Sequence, residues 1–187
     1  MTTNHNVIFG TGLIGGYLAG AFLAQGIPTA LVGRAATREA LAHGLTVTDL
    51  DENRADIQSI AFYHAAEHQQ IDTLWLTVKC TAVEASVADL KDIVQADTII
   101  ICCQNGFGSD KFVRHAFPNN IVLNAVVGFN VAERAPAHLH RSTDGKLIVQ
   151  HDKRLDALIT QLNSPLLPAA SSQNFLADQW AKLQLNL

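Results

Sequence analysis

The chain has 187 residues, with 13 Lys and Arg against 17 Asp and Glu, a net charge of −4, and 48% hydrophobic residues. That length accommodates one domain, or one plus a fragment, and high apolar content at low net charge excludes intrinsic disorder. A slightly acidic chain lacks the counterion-releasing surface of non-specific nucleic-acid binding, and apolar runs such as 98–103 fall far short of the roughly 20 residues that span a bilayer.

In chain order, residues 1–6 are polar and lack a charged n-region and an apolar h-region, so no cleaved leader is expected. Val7-Ile8-Phe9 reads as a short buried strand ending in Gly10. Residues 13–25 read as a helix with apolar or small residues on every face, and Gly26-Ile27-Pro28 as a turn. Thr29–Val32 is a second strand, followed by a short helix over 37–43 that Gly44 stops. Residues 45–50 alternate and predict an antiparallel addition; 57–63 is a weaker strand. Asp72–Val78 is a strong strand, 82–94 an amphipathic helix, and 97–102 a continuous apolar strand. A short helix over 109–116 has Ser109 and Asp110 available as caps. Residues 120–127 return as a strand, Leu139 and 145–150 suggest a late hairpin or edge, and 155–162 is helical. A last helix, 175–187, carries Trp180, Leu183, Leu185 and Leu187 to the final residue.

Continuous apolar strands separated by helices predict a parallel sheet covered on both faces, a doubly wound α/β fold with an antiparallel edge addition. The apolar last helix needs something to pack on: the first domain, a partner chain such as a second copy in a homodimer, or a longer form of the same protein. The three cysteines, Cys80, Cys102 and Cys103, are an odd set without paired spacing. They predict no disulfide framework and a reducing, cytoplasmic compartment. The eight His show no zinc spacing; His138 and His140, two apart on one strand face, read as core or surface histidines.

Gly10-Thr11-Gly12-Leu13-Ile14-Gly15 follows the first strand and opens the first helix, the context a dinucleotide fingerprint requires. The first Gly allows the tight turn, the second lets backbone approach a pyrophosphate, and the third permits close helix–strand packing. The anion then sits on unpaired N–H groups at the positive helix end. The second strand ends Leu31-Val32-Gly33-Arg34. An NAD site places a carboxylate there for the ribose 2′-hydroxyl. Arg34 instead offers a two-pronged donor to a 2′-phosphate, so NADP(H) is expected over NAD(H). Arg38, one turn on, either assists or lies on a solvated face.

Two further strand ends are polar: Lys79 after Val78, and Gln104-Asn105-Gly106 after Cys103. In open α/β sheets ligands bind outside the carboxyl ends of the strands, so both are expected to face the cofactor crevice.

Taken with Trp180-Ala181-Lys182-Leu183, with Asn186 four residues past the lysine, and with the 124–130 segment Asn-Ala-Val-Val-Gly-Phe-Asn, this set resembles the ketopantoate reductase (2-dehydropantoate 2-reductase) family along the whole chain. The resemblance implies NADPH-dependent reduction of a 2-oxo acid, 2-dehydropantoate to pantoate. It gives Lys182 the role of general acid that protonates the alkoxide. It makes Asn105 the residue positioning this lysine and the nicotinamide end, Arg34 and Lys79 cofactor-side cations, and Asn186 a substrate contact. A lysine whose pKa is lowered by burial can donate near neutral pH. The resemblance also implies residues 1–172 as the NADP-binding Rossmann domain and 173–187 as the start of a helical second domain. That domain would close the cleft and supply further substrate contacts, and the chain ends inside its first helix, so cofactor binding is expected to survive better than turnover.

Other classes fit less well. Short-chain dehydrogenases need Tyr-x-x-x-Lys, and neither Tyr17 nor Tyr63 has Lys four residues on. A histidine-based dehydrogenase would use His115 or His151, which nothing in the pattern brings to the crevice. A stand-alone NADP-binding module, sensing cofactor or pairing with another chain, is the non-enzyme alternative.

Overall fold

A computed structural model describes residues 5–63 and 70–185. Strand β1 (Asn6–Phe9) leads through the glycine loop into α1 (Leu13–Ala24), then β2 (Thr29–Val32) and α2 (Ala35–Ala40). β3 (Leu45–Thr48), β4 (Arg54–Ile57) and β5 (Ala61–Phe62) follow, then β6 (Thr73–Leu76), α3 (Val83–Leu90), β7 (Ile99–Cys102) and α4 (Asp110–Ala116). The chain continues through β8 (Val122–Val127), β9 (Val131–Ala135), β10 (His138–Arg141), β11 (Leu147–Gln150), α5 (Asp156–Leu162), β12 (Ala169–Ser172) and α6 (Phe175–Leu185).

The main sheet has the order β12-β11-β8-β7-β6-β1-β2-β5. β8, β7, β6, β1, β2 and β5 run parallel, while β11 pairs antiparallel with β8 and carries β12 parallel to itself at the edge. The doubly wound α/β expectation, with an antiparallel edge addition, holds. β1, β6 and β7 are buried along their whole length, which is why they read as unbroken apolar runs. The topology reverses on either side of β1, and the crevice at the carboxyl ends of β1 and β6 is where such sheets bind ligands.

A second sheet, β4-β3-β10-β9, corrects the reading of two segments. The alternating 45–50 run does not extend the main sheet; β3 pairs antiparallel with β4 and parallel with β10. Leu139 and the 145–150 stretch do not share a hairpin. The hairpin is β9–β10, and β11 belongs to the main sheet. The 57–63 segment divides, Ile57 ending β4 and Ala61–Phe62 forming the short edge β5.

Helix α1 lies between the two sheets, so it has no solvated face. Tyr17, Leu18, Ala19, Ala21 and Phe22 are fully buried. Gly16 and Gly20, one turn apart, let the small sheet come close: a Cβ at Gly16 would stand 2.7 Å from Leu139 Cδ1, and one at Gly20 2.4 Å from Val47 Cγ1. A buried polar cluster ties the small sheet down. Arg141 of β10 pairs with Asp49 at 3.3 Å and donates to Pro165 O at 3.2 Å, while the Tyr17 hydroxyl donates to Leu166 O at 2.7 Å. Burial pushes the Tyr17 phenol up to about 12, against the opposing pull of Arg141.

Smaller differences are local. α2 spans 35–40 rather than 37–43, beginning directly after Arg34. Ser109 makes no capping bond. Asp110 instead accepts from Arg114 Nε at 2.8 Å and Asn124 Nδ2 at 3.2 Å. Burial raises the Asp110 carboxyl, but the hydrogen bonds from Arg114 and Asn124 outweigh it and hold it low. All three cysteines are free, Cys102 and Cys103 buried. No described helix is long and apolar enough to cross a membrane.

Candidate active site

The glycine loop forms because two of its glycines have no room for a side chain. Gly10 sits at φ +110, and a Cβ there would approach Val78 N to 2.9 Å. A Cβ at Gly15 would stand 1.9 Å from Gly10 O and 2.5 Å from Thr77 Oγ1. At Gly12 the same test meets nothing within 4 Å, so the space above the loop is open. Gly12 caps α1 without a side-chain bond, and no acidic residue stands in the first turn. The helix end therefore presents N–H groups and positive potential to an incoming anion. Thr11 reaches across to α2, its hydroxyl 3.0 Å from that of Thr37.

Arg34 is exposed at the end of β2 and supplies the backbone start of α2. No carboxylate stands at this strand end. The open space over Gly12 and the bare helix end could hold the phosphates of a dinucleotide. Arg38 sets its guanidinium 5.1 Å from the ring centroid of Phe62, on the edge strand β5 beside β2. Lys79 is exposed past the end of β6, after Thr77 and Val78, and its backbone starts the short 3-10 turn over Cys80–Ala82.

One cleft of about 340 Å³ gathers the expected residues from distant parts of the chain. Leu13 and Ile14 of the glycine loop, Asn105 after β7, and Lys182 of α6 line it together with Cys103, Val127, Phe129, Asn130 and Val131. A smaller cavity, lined by Gln104, Asn105, Gly106, Gln179 and Lys182, adjoins them. Lys182 is half-buried and borders both. Burial drives the Cys103 thiol far above its ordinary range, so it meets the cleft as a neutral thiol rather than a thiolate nucleophile. Asn186 lies outside the described residues.

Neither candidate histidine shares this cleft. His151 stands 3.5 Å from Asp156 beside a different cavity lined by residues 172–176, and His115 is exposed on α4. Among the described residues no group of His, Cys, Asp and Glu is placed to hold a metal ion.

The model of the ketopantoate reductase PanE/ApbA family matches residues 7–153, which takes in the glycine loop, both polar strand ends and the second sheet. The chain belongs to this ketopantoate reductase family. The 2-dehydropantoate 2-reductase of Streptococcus pyogenes serotype M1 is 24% identical over 123 residues, 63% of this chain and 40% of that protein. The structure of 2-dehydropantoate 2-reductase from Methylococcus capsulatus superposes with a TM-score of 0.84 at 23% identity, over 97% of this chain and 61% of that one. A D-mandelate dehydrogenase solved with NADH and anilino(oxo)acetate superposes at 0.80 with 19% identity, over 97% and 61%. The chain thus spans about three fifths of the solved family structure it matches.

Three features around the cleft escape a reading by motif. Thr77 donates to Gly10 O at 2.8 Å and fastens the glycine loop to β6. Gln104 Nε2 donates to Leu76 O at 2.8 Å and Val78 O at 3.0 Å, joining the ends of β6 and β7. Phe107, in the loop after Asn105, packs on Trp180 of α6 with centroids 5.0 Å apart, bringing the Asn105 loop and the Lys182 helix together. The only signal for Thr77 was its place two residues before Lys79; nothing in the pattern pairs Phe107 with Trp180.

Proposed function

We propose that this chain is the cofactor-binding part of an NADPH-dependent reductase of 2-oxo acids, with 2-dehydropantoate as substrate and pantoate as product. The observation that carries the reading is the shared cleft: glycine-loop residues, Asn105 and Lys182 line one cavity. Backbone N–H groups of 10–15 hold the pyrophosphate at the start of α1, and Arg34 holds the 2′-phosphate as a bidentate donor. Lys79 adds positive charge on the same side. When bound, NADPH supplies the hydride that reduces the 2-oxo carbon.

The chain's own groups handle the proton. Lys182, as an ammonium, donates to the substrate oxygen as negative charge develops there. Asn105 orients the lysine and the nicotinamide end, and Asn186 contacts substrate. Residues 1–172 form the cofactor domain, and α6 begins a second, helical one that contributes to closing the cleft.

Titration with NADPH and NADH tests the cofactor half. NADPH binds tighter, and Arg34→Ala weakens NADPH on the order of ten- to a hundredfold with NADH unchanged. Equal affinities in the wild type would remove the phosphate role of Arg34. Turnover of 2-dehydropantoate tests the rest, with Lys182→Ala lowering kcat roughly 10²- to 10⁴-fold. A second reading is a module that binds NADPH without turnover. It is favoured by α6, where Leu176 and Trp180 are 60% and 53% exposed and give an apolar face for a partner such as a second copy. NADPH binding with no consumption on adding 2-dehydropantoate would select it.

A further inference from the structure

Thr77 belongs to none of the motifs, yet it joins the end of β6 to the glycine loop. Its backbone N–H donates to Phe9 O at 2.8 Å. Its hydroxyl lies 3.1 Å from the same oxygen and 2.8 Å from Gly10 O. The single hydroxyl proton is better used on Gly10 O, the nearer oxygen, because Phe9 O already accepts from the Thr77 backbone N–H. The residue is held on both flanks. The carbonyls before and after it, Leu76 O and Val78 O, accept from the same amide of Gln104 at 2.8 and 3.0 Å. The hydroxyl is therefore aimed before any ligand arrives. Its target carries the positive φ on which the loop turns, and that carbonyl lies where a Gly15 side chain would be.

We infer that Thr77 is a positioning residue for the pyrophosphate site: its hydroxyl fixes the Gly10 carbonyl, which sets the direction of the loop N–H groups over Gly12. The inference rests on the dinucleotide reading of the loop and adds a residue that the loop's own pattern does not contain. Gln104 supports it from behind by holding the backbone on either side.

The test compares two probes on the whole chain. NADPH carries the pyrophosphate; adenosine 2′-phosphate carries the 2′-phosphate and no pyrophosphate. Thr77→Val keeps the shape and removes the hydroxyl, and NADPH binding is expected to weaken about tenfold. Binding of adenosine 2′-phosphate stays within twofold, and Thr77→Ser restores NADPH binding. A general loosening of the domain would weaken both probes together. Thr77→Ala, which has no methyl to misplace against Gly15, is the second hydroxyl-free variant should Thr77→Val fail to fold. If the wild type binds NADPH and both hydroxyl-free variants bind it equally well, or lose both probes in parallel, the assignment of Thr77 is overturned while the dinucleotide reading stands. If the wild type binds no NADPH, both fall.

Discussion

Gly15 and Gly10 press against each other closely enough that a single methyl decides the loop. Gly15→Ala would place its Cβ 1.9 Å from Gly10 O, and the backbone would have to move. Overpacking of this kind costs about 1–3 kcal/mol. The expected result is a lowered Tm together with loss of NADPH binding by titration, whereas alanine at Gly12, where space is open, keeps the fold. A second residue-level prediction concerns acid. His140 Nε2 faces Arg134 Nη2 at 2.7 Å, and His140 Nδ1 faces Thr48 Oγ1 at 3.0 Å, whose other contact is His138 Nε2 at 2.9 Å. Arginine can only donate, so Nε2 accepts and Nδ1 carries the proton. Burial, with Arg134 and His138 close by, holds the His140 pKa below its ordinary value, and the nearby Asp49 does not offset this. The folded state thus prefers neutral His140. Its contribution is complete above the unfolded histidine value of about 6.5 and is lost as pH falls through the lowered folded value. Urea midpoints between pH 8 and pH 5 should fall for the wild type and fall less for His140→Gln; parallel curves would rule His140 out as the cause. At this scale the sequence was informative where a residue type admits one job. Glycine at fixed spacing and an arginine in place of a carboxylate are legible, whereas a threonine in a strand is an ordinary β-former until its hydroxyl partner is known.

Elements were legible in proportion to their burial. β1, β6 and β7 are buried on both faces and apolar apart from Asn6 and Thr73 at their starts, and each was read within a residue or two. β12 is Ala-Ala-Ser-Ser and β9 is almost wholly exposed, so neither carries an apolar pattern. Both exist through backbone pairing with a neighbour. α6 was read as a helix, but its partner was not, because the Phe107–Trp180 contact joins a loop to a helix far along the chain. Both rings are about half exposed, and the pair contributes about 0.5–1.5 kcal/mol beyond its area. Trp180→Ala should therefore leave Tm within a few degrees. Its effect should fall on the geometry between Asn105 and Lys182, seen as a drop in kcat with NADPH affinity unchanged. A loss of NADPH affinity instead would mean that α6 supports the cofactor loop directly.

For the whole molecule, the unexpected feature is the second sheet and the charge pair beneath it. Arg141 and Asp49 are 3% and 0% exposed in their side chains. Asp49 also accepts from the backbone N–H groups of Asp51 and Asn53 and from the Asn53 amide. Removing one member strands the other, which typically costs 3–5 kcal/mol. Arg141→Leu should lower the urea midpoint accordingly, and adding Asp49→Asn should recover part of the loss. Additive losses in the double variant would mean that the two side chains act separately. The pattern of alternating strands and helices predicts the large sheet well. The small sheet is marked in the sequence by the alternation at 45–50, but the polar residues that hold it down look like surface positions until paired.

The position of α1 between the sheets has a consequence for synthesis. The glycine loop and its helix leave the ribosome well before β10, on which one of the two walls that cover them depends. β10 sits between β3 and β9 in that wall, so β3 and β4 alone leave it half built. Until residues 138–141 emerge, an apolar helix waits with one side open to water, a state that invites aggregation or chaperone capture. Nascent chains whose emerged part ends before His138 should remain open to protease within α1, and those whose emerged part extends past Gln150 should be protected there. A helix made early is thus completed only after a strand made much later.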